Sequence, residues 1–396
     1  MHILNLTTIT TKPFPNQFYF LLVEVIVLTF RAKTADLVTE LGLLQSVVEK
    51  RTTIPILSHV LLDASGDGLA LTGTDLDLSL TTRCQAEIDC TGSVTILAKK
   101  LFEIVRNLPH GEVHFQVDSS NRIQISCERS RFKLSGLERE SFPEVPKPVD
   151  AWLSLPAEMF RDFVQRTMFA TTQEESRYAL SGVQLEVVPA SGSVRMIATD
   201  GHRLALVEGE LGGGGSEEMR ILIPKKALVE LMKLGGADGE SVEVGKDDNH
   251  IYFRLGKRNL SSRVLVGQFP NYEMVLPKDN ARVAEVPSEA FAAALRRVAI
   301  VSDERSRAIR LQVGVGRFDL SAARAEGGEE AAEDLLVKYD GDEFEIGFNS
   351  SFLLEFFAAV PSGDVRMEFK DSRGPILMRP IGGKYDYRYV VMPLRV

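Results

Sequence analysis

The chain has 396 residues, 44% apolar and 26% charged, a balance that excludes a disordered or collagenous protein and leaves room for two to four globular domains. Its three cysteines, Cys84, Cys90 and Cys127, form no CxxC pair and no Cys/His cluster, which excludes a disulfide scaffold and a zinc ribbon. A formal net charge of −9 argues against a nucleic-acid surface only if the charge is spread evenly, and it is not.

Residues 1–26 read as an N-terminal extension, expected to be disordered, ahead of a first strand VIVLTFRAK. Its apolar run is interrupted by Glu24 and is too short for a membrane helix. With only Lys12 before it and no small-residue cleavage site, it does not read as a secretory leader, and no membrane partner is expected. A helix is predicted over 34–50, with Leu37, Leu41, Leu44 and Val48 on one face. Alternating strands follow (HVLLDA, LALTGTD, LSLTTRC), then a helix over 98–107 and further strands (VHFQVD, RIQISCE, RFKLSGL).

The same order then recurs. Helices are predicted over 156–169 and 224–234, each followed by three strands, the last of them SSRVLV at 261–266; two more helices fall at 287–301 and 349–360. Proline-bearing joints, SFPEVPKPVD and QFPNYEMVLPKDN, separate the blocks, and the run Gly212–Gly215 reads as a surface turn. Short turns between abundant strands imply antiparallel sheets with helices packed on one face, an α+β class.

One pattern is written three times: ILAKKLFEIV at 96–105, LIPKKALVEL at 222–231 and GFNSSFLLEF at 347–356, at offsets of 126 and 125. LTGTDLDL around Asp75 recurs 125 residues on as IATDGHRLAL around Asp200, and Phe142-Pro143 recurs as Phe269-Pro270. An interval this long exceeds a solenoid repeat and implies three whole domains of one fold, bounded at 27–149, 150–277 and 278–396.

Charge follows the repeats. The six helical stretches carry +5 together, so the remainder of the chain carries −14. Helices gathered on one side would make that side basic and suited to phosphate backbone without base reading. On spacing alone Lys99, Lys100, Lys225 and Lys226 are the helix charges that would face DNA. Catalytic signals are weak: no GxSxG, HExxH or Walker sequence occurs. A metal-dependent phosphoesterase using Asp75, Asp77, Asp200 and His202 is the competing reading, but Asp in a turn ordinarily accepts from local backbone donors.

RTTIPILSHVLLDA, LTGTDLDLSL, SRFKLSGLERESFPEVP, MIATDGHRLAL, QFPNYEMVLP, EIGFNSSFLLEF and the terminal YVVMPLRV together resemble the bacterial DNA polymerase III beta subunits, the sliding clamps, from about Val27 to Val396. The resemblance implies a non-enzymatic, cytoplasmic processivity factor with no cofactor of its own: a head-to-tail homodimer ring around double-stranded DNA, helices inside and sheets outside. Its implied partners are the replicative polymerase alpha subunit, the clamp loader, translesion and repair polymerases and mismatch-repair proteins.

The resemblance also carries site residues. Arg51 falls at a DNA-facing position. Phe132 and Leu134, in an alternating RFKL edge strand, would meet Ile300 and Val301 of a second copy. A groove for peptides bearing a Gln and a pair of Leu or Phe side chains is implied from Leu180, Thr199, Gly201, His202, Arg203, Leu204, Pro270 and Val275. Asn349, Phe352, Val390, Met392, Pro393 and Leu394 complete it. Glu174, Ala179 and Met274 depart from residues found in some members, Met274 making its wall more apolar.

Overall fold

The computed structural model describes residues 25–49, 53–66, 68–172, 174–211, 218–235, 240–324 and 328–395; Arg51, the Gly212–Gly215 run and residues 1–24 of the expected extension lie outside them. Six helices form among the described residues: α1 (Thr34–Leu44), α2 (Ala98–Arg106), α3 (Ala157–Thr167), α4 (Lys225–Lys233), α5 (Ser288–Ala299) and α6 (Ser350–Ala359). None is long and apolar enough to cross a membrane.

The first repeat holds β1 (Ile26–Lys33), β2 (His59–Ser65), β3 (Gly68–Thr74), β4 (Leu78–Cys84), β5 (Ala86–Cys90), β6 (Gly92–Leu97), β7 (Glu112–Asp118), β8 (Arg122–Cys127) and β9 (Ser130–Ser135). The second holds β10 (Leu153–Pro156), β11 (Gly182–Val188), β12 (Ser193–Thr199), β13 (Arg203–Glu210), β14 (Met219–Pro224), β15 (Ser241–Lys246), β16 (His250–Leu255) and β17 (Arg258–Arg263). The third holds β18 (Arg282–Pro287), β19 (Ala308–Gly314), β20 (Arg317–Arg324), β21 (Glu329–Leu336), β22 (Phe344–Asn349), β23 (Asp364–Phe369), β24 (Ile376–Pro380) and β25 (Asp386–Val391).

Local sequence accounts for most of these elements. Strands β7 and β8 alternate buried and exposed residues, the signature of a sheet with one wet face. Helix α3 buries Phe160, Phe163, Val164 and Thr167, and α5 buries Phe291, Ala294, Leu295 and Val298, both at helical spacing. Asn349 caps α6, its side chain accepting from the Ser351 N–H at 2.9 Å.

Two expectations shift. Helix α1 ends at Leu44 instead of continuing to 50, because Val47 and Val48 are buried in the turn that follows. Gly73 makes room for that turn: a Cβ there would lie 3.0 Å from Val48 Cγ1 and 3.2 Å from Leu44 Cδ2. The strand expected at 261–266 starts at Arg258, since its hairpin with β16 turns at Gly256 (φ +56°) and sets the register Leu255 opposite Arg258.

The sheets explain how the repeats combine. One eight-stranded sheet runs β10-β15-β16-β17-β4-β3-β2-β6 and a second runs β14-β11-β12-β13-β25-β24-β23-β18. Each joins strands of the second repeat to four of a neighbour, through β17 against β4 and through β13 against β25. The other two sheets, β5-β1-β7-β8-β9 and β21-β20-β19-β22, stay within one repeat and end on open edges. The chain accordingly divides into two compact units, Met1–Ser154 with Val229–Arg263 and Leu155–Leu228 with Val264–Val396, so the second repeat is shared between them.

Candidate functional site

The repeated TD motif is a repeated turn. In the first repeat the Thr74 hydroxyl donates to the Leu78 carbonyl (3.0 Å) and accepts from Leu76 N–H (3.0 Å), while Asp75 Oδ1 accepts from Asp77 N–H and Leu78 N–H (3.0 and 2.8 Å). In the second, Thr199 donates to the Arg203 carbonyl (2.6 Å) and accepts from Gly201 N–H (3.1 Å); Asp200 Oδ1 accepts from His202 and Arg203 N–H (2.9 and 3.1 Å). The aspartates are thus turn acceptors. Among the described residues no group of three or more His, Cys, Asp or Glu is placed to hold a metal ion, so Asp75, Asp77, Asp200 and His202 form no metal centre.

The second turn forms one end of the expected groove. Leu180, Leu204 and Val390 share an apolar cluster with Ile197, Leu206, Leu222, Phe269, Tyr272 and Leu377. The joint carrying Pro270 and Val275 lies over this cluster through Phe269 and Tyr272, whose hydroxyl donates to Glu186 at 2.7 Å; burial first, then this bond, push the Tyr272 phenol up to about 12. Gly201 takes φ +89°, and a Cβ there would sit 3.1 Å from Arg177 Nη1. The terminal strand closes the other side: Met392 N–H donates to the His202 carbonyl (2.9 Å) and Leu394 N–H to the Gly347 carbonyl (2.8 Å), with Pro393 between them. Pro270, Val275, Met392 and His202 are exposed, and Met274 is 83% exposed. An accessible apolar rim over a buried apolar floor suits short apolar side chains.

Arg203, expected to line this groove, is largely buried, at 7% exposed comparable to Thr199 and Leu204, and it lines a cleft while acting as a strut. Its Nε donates to Asp200 (3.0 Å), Nη2 to the Phe169 carbonyl (2.7 Å), and Nη1 to Glu355 and the Tyr389 hydroxyl. Its guanidinium lies 4.4 Å from the Phe352 ring centroid. Beside it, a cleft of about 430 Å³ is lined by His202, Glu174, Lys225 and Glu355 among others. Sequence reasoning missed Arg177, whose Nη1 donates to the Asp200 carbonyl at 3.0 Å, and Glu355; the repeated helix pattern, which sets Glu230 in line with Glu355, was the available signal.

The other eight-stranded sheet has a corresponding anchor of opposite sign. Glu40 of α1, 1% exposed, accepts from Arg258 Nε and Nη2 (3.1 and 2.9 Å) and the Thr82 hydroxyl (2.6 Å), and pairs with Lys257 (3.0 Å). Burial pushes its carboxyl up, but hydrogen bonds from Arg258, Thr82 and Lys257 outweigh it and hold Glu40 below its ordinary value.

The four expected DNA-facing lysines are not alike. Lys99, Lys100 and Lys226 are exposed at the starts of α2 and α4. Lys225 is half-buried beside Arg203 and Glu355, and desolvation lowers its pKa. At the open edges, Phe132 and Leu134 on β9 stand opposite the buried Ile125 and Ile123 and are half-covered, with no strand beyond them among the described residues. Ile300, at the end of α5, is 82% exposed, and Val301 is half-buried.

Three α+β repeats, with sheets that run on from one repeat into the next, define a repeated-domain α+β class of protein. Similarity to known proteins gives the family. The N-terminal domain of the DNA polymerase III beta subunit matches residues 28–146, its central domain 154–271 and its C-terminal domain 273–395. A beta sliding clamp from Caulobacter vibrioides is 38% identical over 369 residues, covering 91% of this chain and 98% of that one. One from Escherichia coli is 34% identical over 355 residues, covering 87% and 94%. The crystal structure of the DNA polymerase III beta subunit from Pseudomonas aeruginosa superposes with a TM-score of 0.88 at 34% identity, over 93% of this chain and all of that one. The chain belongs to the DNA polymerase III beta subunit family, and it functions as a DNA sliding clamp, a processivity factor without catalytic activity.

Proposed function

We propose that two copies close head to tail, β9 of each pairing with β21 of the other, and that the groove beside His202 tethers partners by short peptides. The observation that carries the closure is the sheet arithmetic. Both eight-stranded sheets join strands from two repeats, and the two remaining sheets end on unpaired edges that a second copy would complete the same way. The edges are complementary: β9 (SRFKLS) presents exposed Arg131 and Lys133, whereas β21 (EEAAEDLL) carries Glu329, Glu330, Glu333 and Asp334. Phe132 and Leu134 then gain a neighbouring strand, and Ile300 and Val301 gain cover.

The repeats are taken as 27–149, 150–277 and 278–396. Lys99, Lys100 and Lys226, together with Arg51, face the DNA, while Lys225 contributes from a half-buried position. The groove's occupants are peptides with a Gln and two Leu or Phe anchors from the replicative polymerase, the clamp loader, repair and translesion polymerases and mismatch-repair proteins. Burying two such anchors is worth roughly 3–6 kcal/mol before ordering costs, so single-peptide affinity is modest and partners exchange. The protein acts in the cytoplasm, at the nucleoid. Light scattering and DNA retention test the reading together: a dimer of the 43.8 kDa chain, loaded on nicked circular DNA, stays bound until the circle is linearised. A monomer, or equal retention on both DNAs, would refute it.

A further inference from the structure

On the far side of the joint that carries Pro270 and Val275, a cleft of about 330 Å³ opens over the strands β12, β13, β25 and β24. Its lining holds four cations, Arg195, Arg379, Arg388 and Lys278, against one carboxylate, Glu273. Two of the four are answered inside the chain: Arg195 pairs with Glu208 at 3.0 Å and Arg388 pairs with Asp386. Arg379 is not. Among the described residues it makes no ion pair; its Nε, like those of Arg195 and Arg388, is buried without a hydrogen-bond partner, and in the ladder it stands directly opposite another arginine, Arg366. Like charges directly opposed across a ladder are destabilising, and Glu368, 3.3 Å from Arg366, answers that arginine of the pair.

The cleft adjoins the groove by register. Leu204 pairs with Val390 and Leu206 with Arg388, while Val390 pairs with Leu377 on its other side. Arg388 is therefore two residues along β25 from Val390, and Arg379 two residues along β24 from Leu377, each on the same face as its apolar neighbour. Two residues of extended strand span about 7 Å. Cations one pleat from an apolar floor form a continuous mixed surface, apolar then basic.

We propose that this cleft is an acidic subsite of the peptide groove: Asp or Glu residues flanking the apolar anchors of a partner peptide pair with Arg379 and Arg388. The inference rests on the groove reading above and adds a selectivity to it. Acidic flanks raise affinity without new apolar contacts, through charge-assisted hydrogen bonds to a guanidinium that otherwise lacks a partner. The gain falls with salt, because the cleft is open to solvent.

Fluorescence anisotropy with two labelled peptides separates the two readings. Both carry one Gln and a Leu-Phe pair; one is flanked by Asp and Glu, the other by Ser. The acidic-flanked peptide is expected to bind about three- to tenfold tighter at low salt, and the advantage to vanish in Arg379→Gln. Arg379→Glu is expected to invert the preference, a Lys-flanked peptide then binding better than the acidic one, with thermal melting showing that the variant is folded. Weak binding of the Ser-flanked peptide would sink the groove itself. Equal binding of the two peptides, or an acidic advantage that survives Arg379→Gln, would overturn the subsite alone. A loss of duplex DNA binding in Arg379→Gln with the peptide ratio unchanged would assign the cleft to phosphate instead, and likewise overturn it.

Discussion

The two eight-stranded sheets solve one problem with opposite charges. Where β17 meets β4, a buried carboxylate, Glu40, is held by Arg258, Lys257 and Thr82. Where β13 meets β25, a buried guanidinium, Arg203, is held by Asp200, Glu355, Tyr389 and the Phe169 carbonyl. Both link a helix or turn of one repeat to a strand of the next, so repeat boundaries are stitched by one charge with several partners. The surroundings differ. Glu40 is 1% exposed, whereas Glu355 is 44% exposed and Arg203 also stacks on Phe352. A single loss should therefore cost more at the first seam, where the group left behind is fully desolvated.

Removing the central partner breaks that comparison most directly. Arg258→Met leaves Glu40 buried with its main partner gone and is expected to cost about 3–5 kcal/mol. Arg203→Met leaves carboxylates that water can reach and should cost about 1–3 kcal/mol. Urea unfolding of the two variants measures the difference; an equal loss would mean that burial of the remaining acid does not set the scale. In the proposed closure a third seam, between copies, gains apolar cover from Ile300 and Val301. Ile300→Ala with Val301→Ala is expected to weaken the dimer by about 2–4 kcal/mol and give folded monomers in light scattering at low micromolar concentration. An unchanged dimer would remove these residues from the interface.

Next in size, deletion of Met392–Val396 takes away the strand end that hydrogen-bonds His202 and Gly347. Peptide affinity should fall at least about tenfold while the dimer and its melting curve persist, since β25 itself ends at Val391. Unchanged affinity would place the groove elsewhere.

Acid titration sharpens the contrast between seams. Glu40 is held below its ordinary value of 4.5, so its contribution is present above that value and is lost as pH falls through the lowered one. Glu40→Gln should thus be less stable than the parent at neutral pH, and the gap in melting temperature should narrow as the pH falls below Glu40's ordinary value. A gap independent of pH would deny the carboxylate its role. The smallest effect concerns the two equivalent turns. Leu76 takes φ +81° where the second repeat has Gly201 at +89°. Leu76 is exposed, so Leu76→Gly relieves a left-handed side chain at little packing loss and is expected to stabilise by up to about 1 kcal/mol; destabilisation would show that the leucine has a contact worth keeping.

Much of this was legible from residue patterns. All six helices formed where apolar spacing placed them, because a helix face declares itself within a dozen residues. The TD turns were readable too, since an Asp accepting from the next backbone donors acts entirely locally. Legibility failed where the decisive partner lies far along the chain. The length of α1 depended on burying Val47 and Val48 beside Gly73, and the register of β17 depended on its hairpin with β16. Glu40, set among Leu37, Leu41 and Leu44, was a visible oddity on an apolar face, but nothing local names Arg258, 218 residues away, as its partner.

The same division holds for the protein as a whole. Sequence by itself determined the threefold repeat, the α+β class and the family, because periodicity and motif order are properties of the chain read in line. Tertiary structure alone decided that the second repeat is shared between two compact units and which edges stay open. It also gave Arg203 its buried, many-partnered place between the turn, α6 and β25. Strand pairing across repeats and the burial of a long cation are settled by which surfaces exclude water together, and that is a property of the folded assembly of elements, not of any one stretch.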